Sequence, residues 1–296
     1  MTHSGTPSTR SPRPESREVT ELRAVSSRHP ELAGAVDLHV ELLELQRRIQ
    51  GRVPLPSLEL TAGLVQRHNA AATPLLRFEI VPLELTDLRL MVRQTADVLR
   101  RHGTLEDADY QIVQTLGRGA TLLAEAERWF RSTGDRPVTN GGAATAANLA
   151  ATGGSGVLGE VLTLAMRPFL LRCAEVVQQR PELSIWTHAH CALCGGEPDL
   201  SVITSSAERH LICGRCGLRW KWEPLDCPFC LNRDRTRITS FATPDGQYRV
   251  YACDVCHRYL KAYDGRRSRR PVMPVVDGVA TLPLDAAAIQ RGYSSS

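Results

Sequence analysis

The sequence predicts an α+β fold in which a helical N-terminal region precedes two tandem, ribbon-like β units. Three observations carry that prediction. Eight of the nine cysteines lie after residue 190. Before them, apolar residues recur at helical spacing. After them, short runs of β-branched and aromatic residues alternate with turn-prone stretches. The composition changes sharply at residues 181–190, which divides the chain into a helical domain over 18–185, a first metal unit over 186–226, and a second metal unit with the C-terminal tail over 227–296.

The helical elements follow in order. Residues 1–17 are rich in Ser, Thr, Pro and Arg and lack the apolar core of a signal peptide, so they are expected to form a disordered tail. Leu38, Leu42, Leu45 and Ile49 form one apolar stripe on a helix that begins near Pro30 and stops at Gly51. A second helix is expected after Thr86. A third is expected after Thr104, with Asp107 three residues on as an approximate capping box, running to Trp129. The fourth spans Val157 to Arg180 and ends at Pro181. Residues 139–156 are a Gly/Ala-rich run without the bulk to build a core, and read as a flexible loop. Gly153, Gly154 and Gly156 do not form a phosphate cradle, because no Lys-Ser/Thr pair follows and no strand pattern precedes them.

The strand segments are 201–204, 218–222, 237–241, 248–251 and 259–263, small hairpins that need cross-links to hold a core. No long helix is expected among them until 285–291. A formal charge of +4, from 36 Lys and Arg against 32 Asp and Glu, is too small to argue for a nucleic-acid or anionic-membrane partner. The apolar stretch from Val157 to Cys173 is interrupted by Glu160, Arg167 and Pro168, which excludes a bilayer span. A cytoplasmic protein is expected, and in that compartment clustered cysteines are more often ligands than disulfides.

The cysteines form the pairs Cys191/Cys194, Cys213/Cys216, Cys227/Cys230 and Cys253/Cys256. Two intervening residues allow a tight turn that aims both sulfurs at one ion, so four pairs make two tetrahedral sites. Thiolates suit zinc or iron, and a four-cysteine shell leaves no open position for substrate, which marks the sites as structural. Eighteen residues separate Cys194 from Cys213 and 22 separate Cys230 from Cys253. Each stretch is enough for a hairpin that joins its ends, which favours sequential over cross-braced pairing. Gly195 and Gly217 follow the second cysteine of their pairs, where positive φ turns amides toward sulfur; Leu231 and His257 hold the equivalent places, so that device is expected in only half of the turns.

The remaining candidates are weaker. His188, His190 and His257 are expected to be solvent-exposed imidazoles, since eight cysteines already complete both shells. Cys173, alone on the fourth helix, reads as a small buried residue. Trp220 and Trp222 share a strand face near Arg215, Arg219 and Lys221; core packing ranks ahead of a protein interface, and nucleic-acid stacking ranks third. Arg266, Arg267, Arg269 and Arg270 read as a solvated loop able to receive an acidic partner. A dithiol oxidoreductase lacks the βαβ setting it needs.

The cysteine surroundings resemble the formate dehydrogenase accessory protein family, FdhE. Cys191-Ala-Leu-Cys194-Gly195-Gly-Glu-Pro198 is similar to its first knuckle, and Arg209-His-Leu-Ile-Cys213-Gly-Arg-Cys216 with Trp220 to its second. Cys227-Pro-Phe-Cys230 follows at the family's distance. Cys253-Asp254-Val-Cys256-His-Arg-Tyr259-Leu260-Lys261 resembles the Cys-Asp-x-Cys-x-x-Tyr-Leu-Lys signature, and the tail through Val276, Asp277, Leu284, Asp285, Gly292 and Tyr293 resembles the family's ending. His257, where glycine is frequent, and residues 139–156 depart from the pattern. The resemblance implies a non-catalytic cytoplasmic maturation protein with two rubredoxin-like metal units. Iron is favoured in them, though zinc would satisfy the same ligands. The implied partner is the immature catalytic subunit of respiratory formate dehydrogenase. The sequence leaves a homo-oligomer open.

Overall fold

The computed structural model describes residues 15–132, 153–268 and 270–295. Most of the expected tail and of the Gly/Ala-rich loop, and Arg269, lie outside them. Among the described residues, eight α-helices precede the sheet: α1 (Arg17–Arg28), α2 (Ala33–Gln50), α3 (Ala62–Ala70), α4 (Leu85–Arg101), α5 (Asp107–Arg118), α6 (Leu122–Arg131), α7 (Gly153–Ala165) and α8 (Arg167–Val177). The strands are β1 (Pro198–Ile203), β2 (Arg209–Cys213), β3 (Arg219–Trp222), β4 (Ile238–Ala242), β5 (Tyr248–Cys253) and β6 (Tyr259–Asp264). The helices α9 (Pro274–Ala280) and α10 (Leu282–Gln290) follow.

Helix α4 is the centre of the helical layer because Leu88, Met91, Val92, Thr95, Ala96 and Leu99 repeat at three- and four-residue steps and are all buried, against α2, α5 and α7. Two expected helices are each divided. Gly119 takes an extended backbone (φ −65°, ψ 158°) and separates α5 from α6. Pro168 has no N–H to give the Leu164 carbonyl and so separates α7 from α8. The buried Gln46 side chain bonds that carbonyl instead, Nε2 to O at 3.0 Å. Thr104 does not cap α5, which starts from Glu106 without a side-chain bond. Gly103, at φ +69°, ends α4 just before it. Gly153 and Gly156 are helical and belong to α7 rather than to a loop.

Each four-cysteine unit runs turn, strand, strand, turn, strand, and the six strands form one sheet in the order β3-β2-β1-β6-β5-β4. The units join where β1 and β6 pair in parallel, with Leu200 opposite Lys261 and Ile203 opposite Asp264; all other neighbours are antiparallel. The tail then folds back over the sheet. Helix α9 packs on α1, where Val19, Leu22 and Val25 meet Met273, Val276 and Val279 in a separate core. Helix α1 begins at Ser16, whose hydroxyl accepts from the Val19 N–H, so the expected tail is already helical at its end.

Polar groups fasten the tail. Asp277 is fully buried and accepts from the Tyr248 hydroxyl at 2.8 Å, Arg270 Nη2 at 2.5 Å and the Met273 N–H at 2.7 Å. Asp285 accepts from Tyr259 and Lys261, both at 2.7 Å, and Tyr293 donates to Asp254 at 2.6 Å. Of the expected solvated loop, Arg266 and Arg267 are exposed, whereas Arg270 is drawn in; Arg270 and Arg266 each pair with a fully buried acid, Asp277 and Asp264. Removing one partner of a buried pair leaves an uncompensated charge. Asp277→Asn is expected to lower stability by about 3 kcal/mol or more in urea unfolding.

Candidate metal centres

All four Cys-x-x-Cys turns use one backbone pattern. The first cysteine's N–H donates to the carbonyl five residues on, and the N–H of the residue after the second cysteine donates back to the first cysteine's carbonyl. The bonds are Cys191 to Gly196 with Gly195 to Cys191, and Cys213 to Leu218 with Gly217 to Cys213. Their counterparts are Cys227 to Asn232 with Leu231 to Cys227, and Cys253 to Arg258 with His257 to Cys253. Bringing the next residue's carbonyl back to the first cysteine's N–H takes the chain through positive φ, and all four residues have it: Gly195 +72°, Gly217 +71°, Leu231 +59° and His257 +55°. The turn geometry is therefore complete in the second unit as well, where two side chains occupy the left-handed region at about 1–2 kcal/mol each.

The sulfurs assemble sequentially. Among the described residues, Cys191, Cys194, Cys213 and Cys216 form one cluster and Cys227, Cys230, Cys253 and Cys256 another, each with all its ligand atoms within 4.8 Å of one another. None of these cysteines forms a disulfide. The nearest Sγ pairs are Cys191–Cys216 and Cys194–Cys213 at 3.5 Å, Cys230–Cys253 at 3.6 Å and Cys227–Cys256 at 3.7 Å. A tetrahedron of sulfurs about 2.3 Å from a central ion has edges of about 3.8 Å. Both clusters match that spacing and could each hold a metal ion, which would supply a fixed tetrahedral cross-link.

Burial disfavours charge on most of these thiols in the absence of an ion. Burial pushes the Cys191 and Cys216 thiols well up. Burial opposes ionisation of Cys213 too, yet bonds from Cys191, Cys194 and Cys216 hold it down. In the second cluster burial pushes Cys230 up to about 11. Four neutral thiols packed at these distances have little to hold them together, whereas an ion would deprotonate and bind them.

The clusters differ in setting. The four cysteines of the first belong to the main helical core. Segment 73–77 lies against the first turn, where Leu75 and Leu76 donate to the Ala192 and Leu193 carbonyls at 2.9 and 2.8 Å. Arg167 of α8 bonds the Gly214 carbonyl at 3.0 Å, and Arg215 lies 3.9 Å over the Trp129 ring and bonds the last carbonyls of α6. A side chain at Gly196 would put Cβ 2.9 Å from Cys213 Sγ, which explains the second glycine of Cys194-Gly-Gly. In the second cluster Cys230 and Cys256 are half-exposed, and Leu231 and Val255 stand 45% and 46% exposed.

Beside the second cluster sits Arg209, 3% exposed and without an acidic partner among the described residues. Its Nε reaches Ser201 Oγ, its Nη1 reaches the carbonyls of Pro224 and Asp226, and its guanidinium lies 5.0 Å from the Tyr251 ring. The Asp226 carboxylate is taken by Arg233 at 3.3 Å. Among the described residues Arg209 Nη2 has no hydrogen-bond partner, and with Arg258, whose Nε is likewise unpartnered there, Arg209 lines a cavity of about 10 Å³ shared with Cys227 and Cys253. Burial draws the guanidinium down to about 10 while the neighbouring Tyr251, Cys227 and Asp226 oppose that fall. Four thiolates around a divalent ion carry net charge −2 and would supply the missing counter-charge. The donor set and this orphaned donor both fit a bound ion.

The other candidates find other places. His188 and His190 are half-buried rather than solvent-exposed; they stack 5.4 Å apart, and His188 bonds the Asn69 carbonyl at the end of α3. His257 is exposed, 6.3 Å from the Tyr293 ring. Trp220 is 3% exposed and donates to the His188 carbonyl, so it is closed to a nucleic-acid base; Trp222, half-buried, donates to the Asp226 carbonyl. Cys173 is fully buried in α8, its thiol pushed up to about 12 by burial. The sequence reading missed Arg209, because an arginine at the start of a strand reads as exposed until its neighbours are known.

The fold and clusters define an α+β protein carrying two tetracysteine centres on one sheet. No family model matches the chain. It is 25% identical over 138 residues to a protein named FdhE homolog from Actinobacillus pleuropneumoniae serotype 3 (strain JL03), covering 46% of this chain and 45% of that one. It is 29% identical over 109 residues to the FdhE homolog of Pasteurella multocida (strain Pm70), covering 36% and 35%. The chain thus matches under half the length of these relatives. The crystal structure of the FdhE protein from Pseudomonas aeruginosa has the same fold, with a TM-score of 0.61 at 17% identity over 94% of this chain and 91% of that one. The sequence matches are thus to proteins named FdhE homolog, and the structural match extends the shared fold to nearly the whole length of the chain.

Replacing Arg209 with methionine is expected to weaken metal binding at the second cluster by about tenfold or more, as loss of an outer-shell partner does. The metal-free protein is expected to become no less stable, since a buried uncompensated cation is removed. Competition titration with a chelator and thermal melts of both forms check the two signs.

Proposed function

We propose that this chain is a non-catalytic, cytoplasmic accessory protein for formate dehydrogenase that holds the immature catalytic subunit during maturation, with iron as the ion of its two centres. The observation that carries the reading is the sequence match to proteins named FdhE homolog, in a chain whose eight clustered cysteines make two closed four-sulfur shells. A closed shell offers a substrate no coordination position, so the centres serve to shape surface rather than to turn over a ligand. The ordered detail around the cysteines supports the same reading: Asp277, Asp285 and Tyr293 of the tail each bond the sheet. No helix among the described residues is long and apolar enough to cross a membrane, in keeping with that role. The buried Trp220 speaks against a nucleic-acid ribbon.

The tagged full chain is expected to co-purify with the formate dehydrogenase catalytic subunit, and a strain lacking the gene is expected to lose formate dehydrogenase activity. No capture together with unchanged activity would contradict the reading. Ferric tetrathiolate centres are red and zinc centres colourless, so an absorbance spectrum with elemental analysis tests the assignment of iron.

A further inference from the structure

We infer that the two centres have different work: the first is a permanent cross-link, and the second is an exchangeable site that takes up and gives up a thiophilic metal ion while the protein stays folded. The inference is independent of the proposed partner, because it rests on how the same turn is surrounded in its two settings.

In the first unit, the helical region touches both turns. Leu75 and Leu76 bond the two carbonyls between Cys191 and Cys194. In the second turn, Gly214 is bonded by Arg167 and Arg215 is seated on α6. Ala192, Leu193 and Leu218 are fully buried around the sulfurs, so an ion leaving this centre must first separate the sheet from the helical core.

The second unit presents the corresponding positions differently. The carbonyls of Pro228 and Phe229, equivalent to those of Ala192 and Leu193, take no backbone bond from another segment among the described residues. The place of Arg215 is held by Val255, 46% exposed, and the places of the two glycines by Leu231, 45% exposed, and His257, also exposed. Cys230 and Cys256 are each half-exposed and lie in different turns. An incoming ligand therefore meets one sulfur from each turn without disturbing the sheet. Strand β5, which carries Cys253, stays held between β4 and β6, and Tyr293 and Arg237 keep the last turn in place through Asp254. On release the ion passes to the incoming chelating ligand and the four sulfurs take protons from water; reloading reverses both steps.

The test uses the full chain loaded with zinc at both centres and challenged with a colorimetric chelator at neutral pH without denaturant. Samples are quenched with iodoacetamide and mapped by mass spectrometry while circular dichroism follows the fold. One equivalent of zinc is expected to leave at least about tenfold faster than the other, with Cys227, Cys230, Cys253 and Cys256 alkylated, Cys191, Cys194, Cys213 and Cys216 protected, and the dichroism unchanged. Release of both ions at one rate, alkylation of the first cluster before the second, or loss of the fold with the first equivalent would each overturn the inference.

Discussion

Everything in this fold depends on the contact between the first cysteine turn and segment 73–77, where two successive amides meet two successive carbonyls and Leu193 is buried to completion. A fully buried leucine is worth about 1.5–3 kcal/mol, and its neighbours Leu75, Leu76 and Trp220 enlarge the same patch. The turn can present those carbonyls only while its own bonds are kept, and those bonds are set by the cysteine spacing and the positive φ after the second cysteine. Metal geometry, turn geometry and the helix-to-sheet junction are therefore one constraint. Most sheet residues of the main hydrophobic cluster surround the first cysteine cluster, so the helical core extends into the sheet there.

The second unit repeats the construction without that cover. It shares the sheet through the β1–β6 pairing and is braced from behind by the tail, with Asp285 and Asp277 taking bonds from Lys261, Tyr259 and Tyr248. Of its turns, Phe229 alone among the partly buried apolar residues packs against the main core, and Leu231 and Val255 stay exposed. Between the units stands Arg209, a buried cation that lines a cavity with Cys227 and Cys253 of the second cluster. Arg258 continues this link, lying 3.7 Å over the Phe229 ring of the second cluster's first turn and pairing with Glu197 beside the first cluster. The two centres are thus joined by charge as well as by the sheet.

Much of this was legible in the sequence. The α+β order and the gathering of the eight cysteines into two sequential clusters follow from local spacing, because a hairpin of 18 or 22 residues returns its ends to one place. Helix α2 and its stop at Gly51 follow from a stripe of four apolar residues. What escaped depends on partners far along the chain. Helix α1 has its own stripe, Val19, Leu22 and Val25, but follows a polar start and finds its core only against α9. Strand β2 alternates poorly because Arg209 and three apolar neighbours are all buried. The breaks at Gly119 and Pro168 were local signals, the second made tolerable by Gln46 from another helix. The half-burial of His188 and His190 came from α3, which had no capping signal strong enough to stand out beyond Thr61.

The most direct measurement of the central claim is amide hydrogen exchange at Leu75 and Leu76 in the metal-loaded protein and in two variants. Both amides are expected to be protected in the parent and in Cys253→Ser, and to lose protection together with the amides of α4 in Cys191→Ser. Protection at Leu75 and Leu76 that survives Cys191→Ser unchanged would contradict the account, for it would mean that the junction between helices and sheet stands without the first centre.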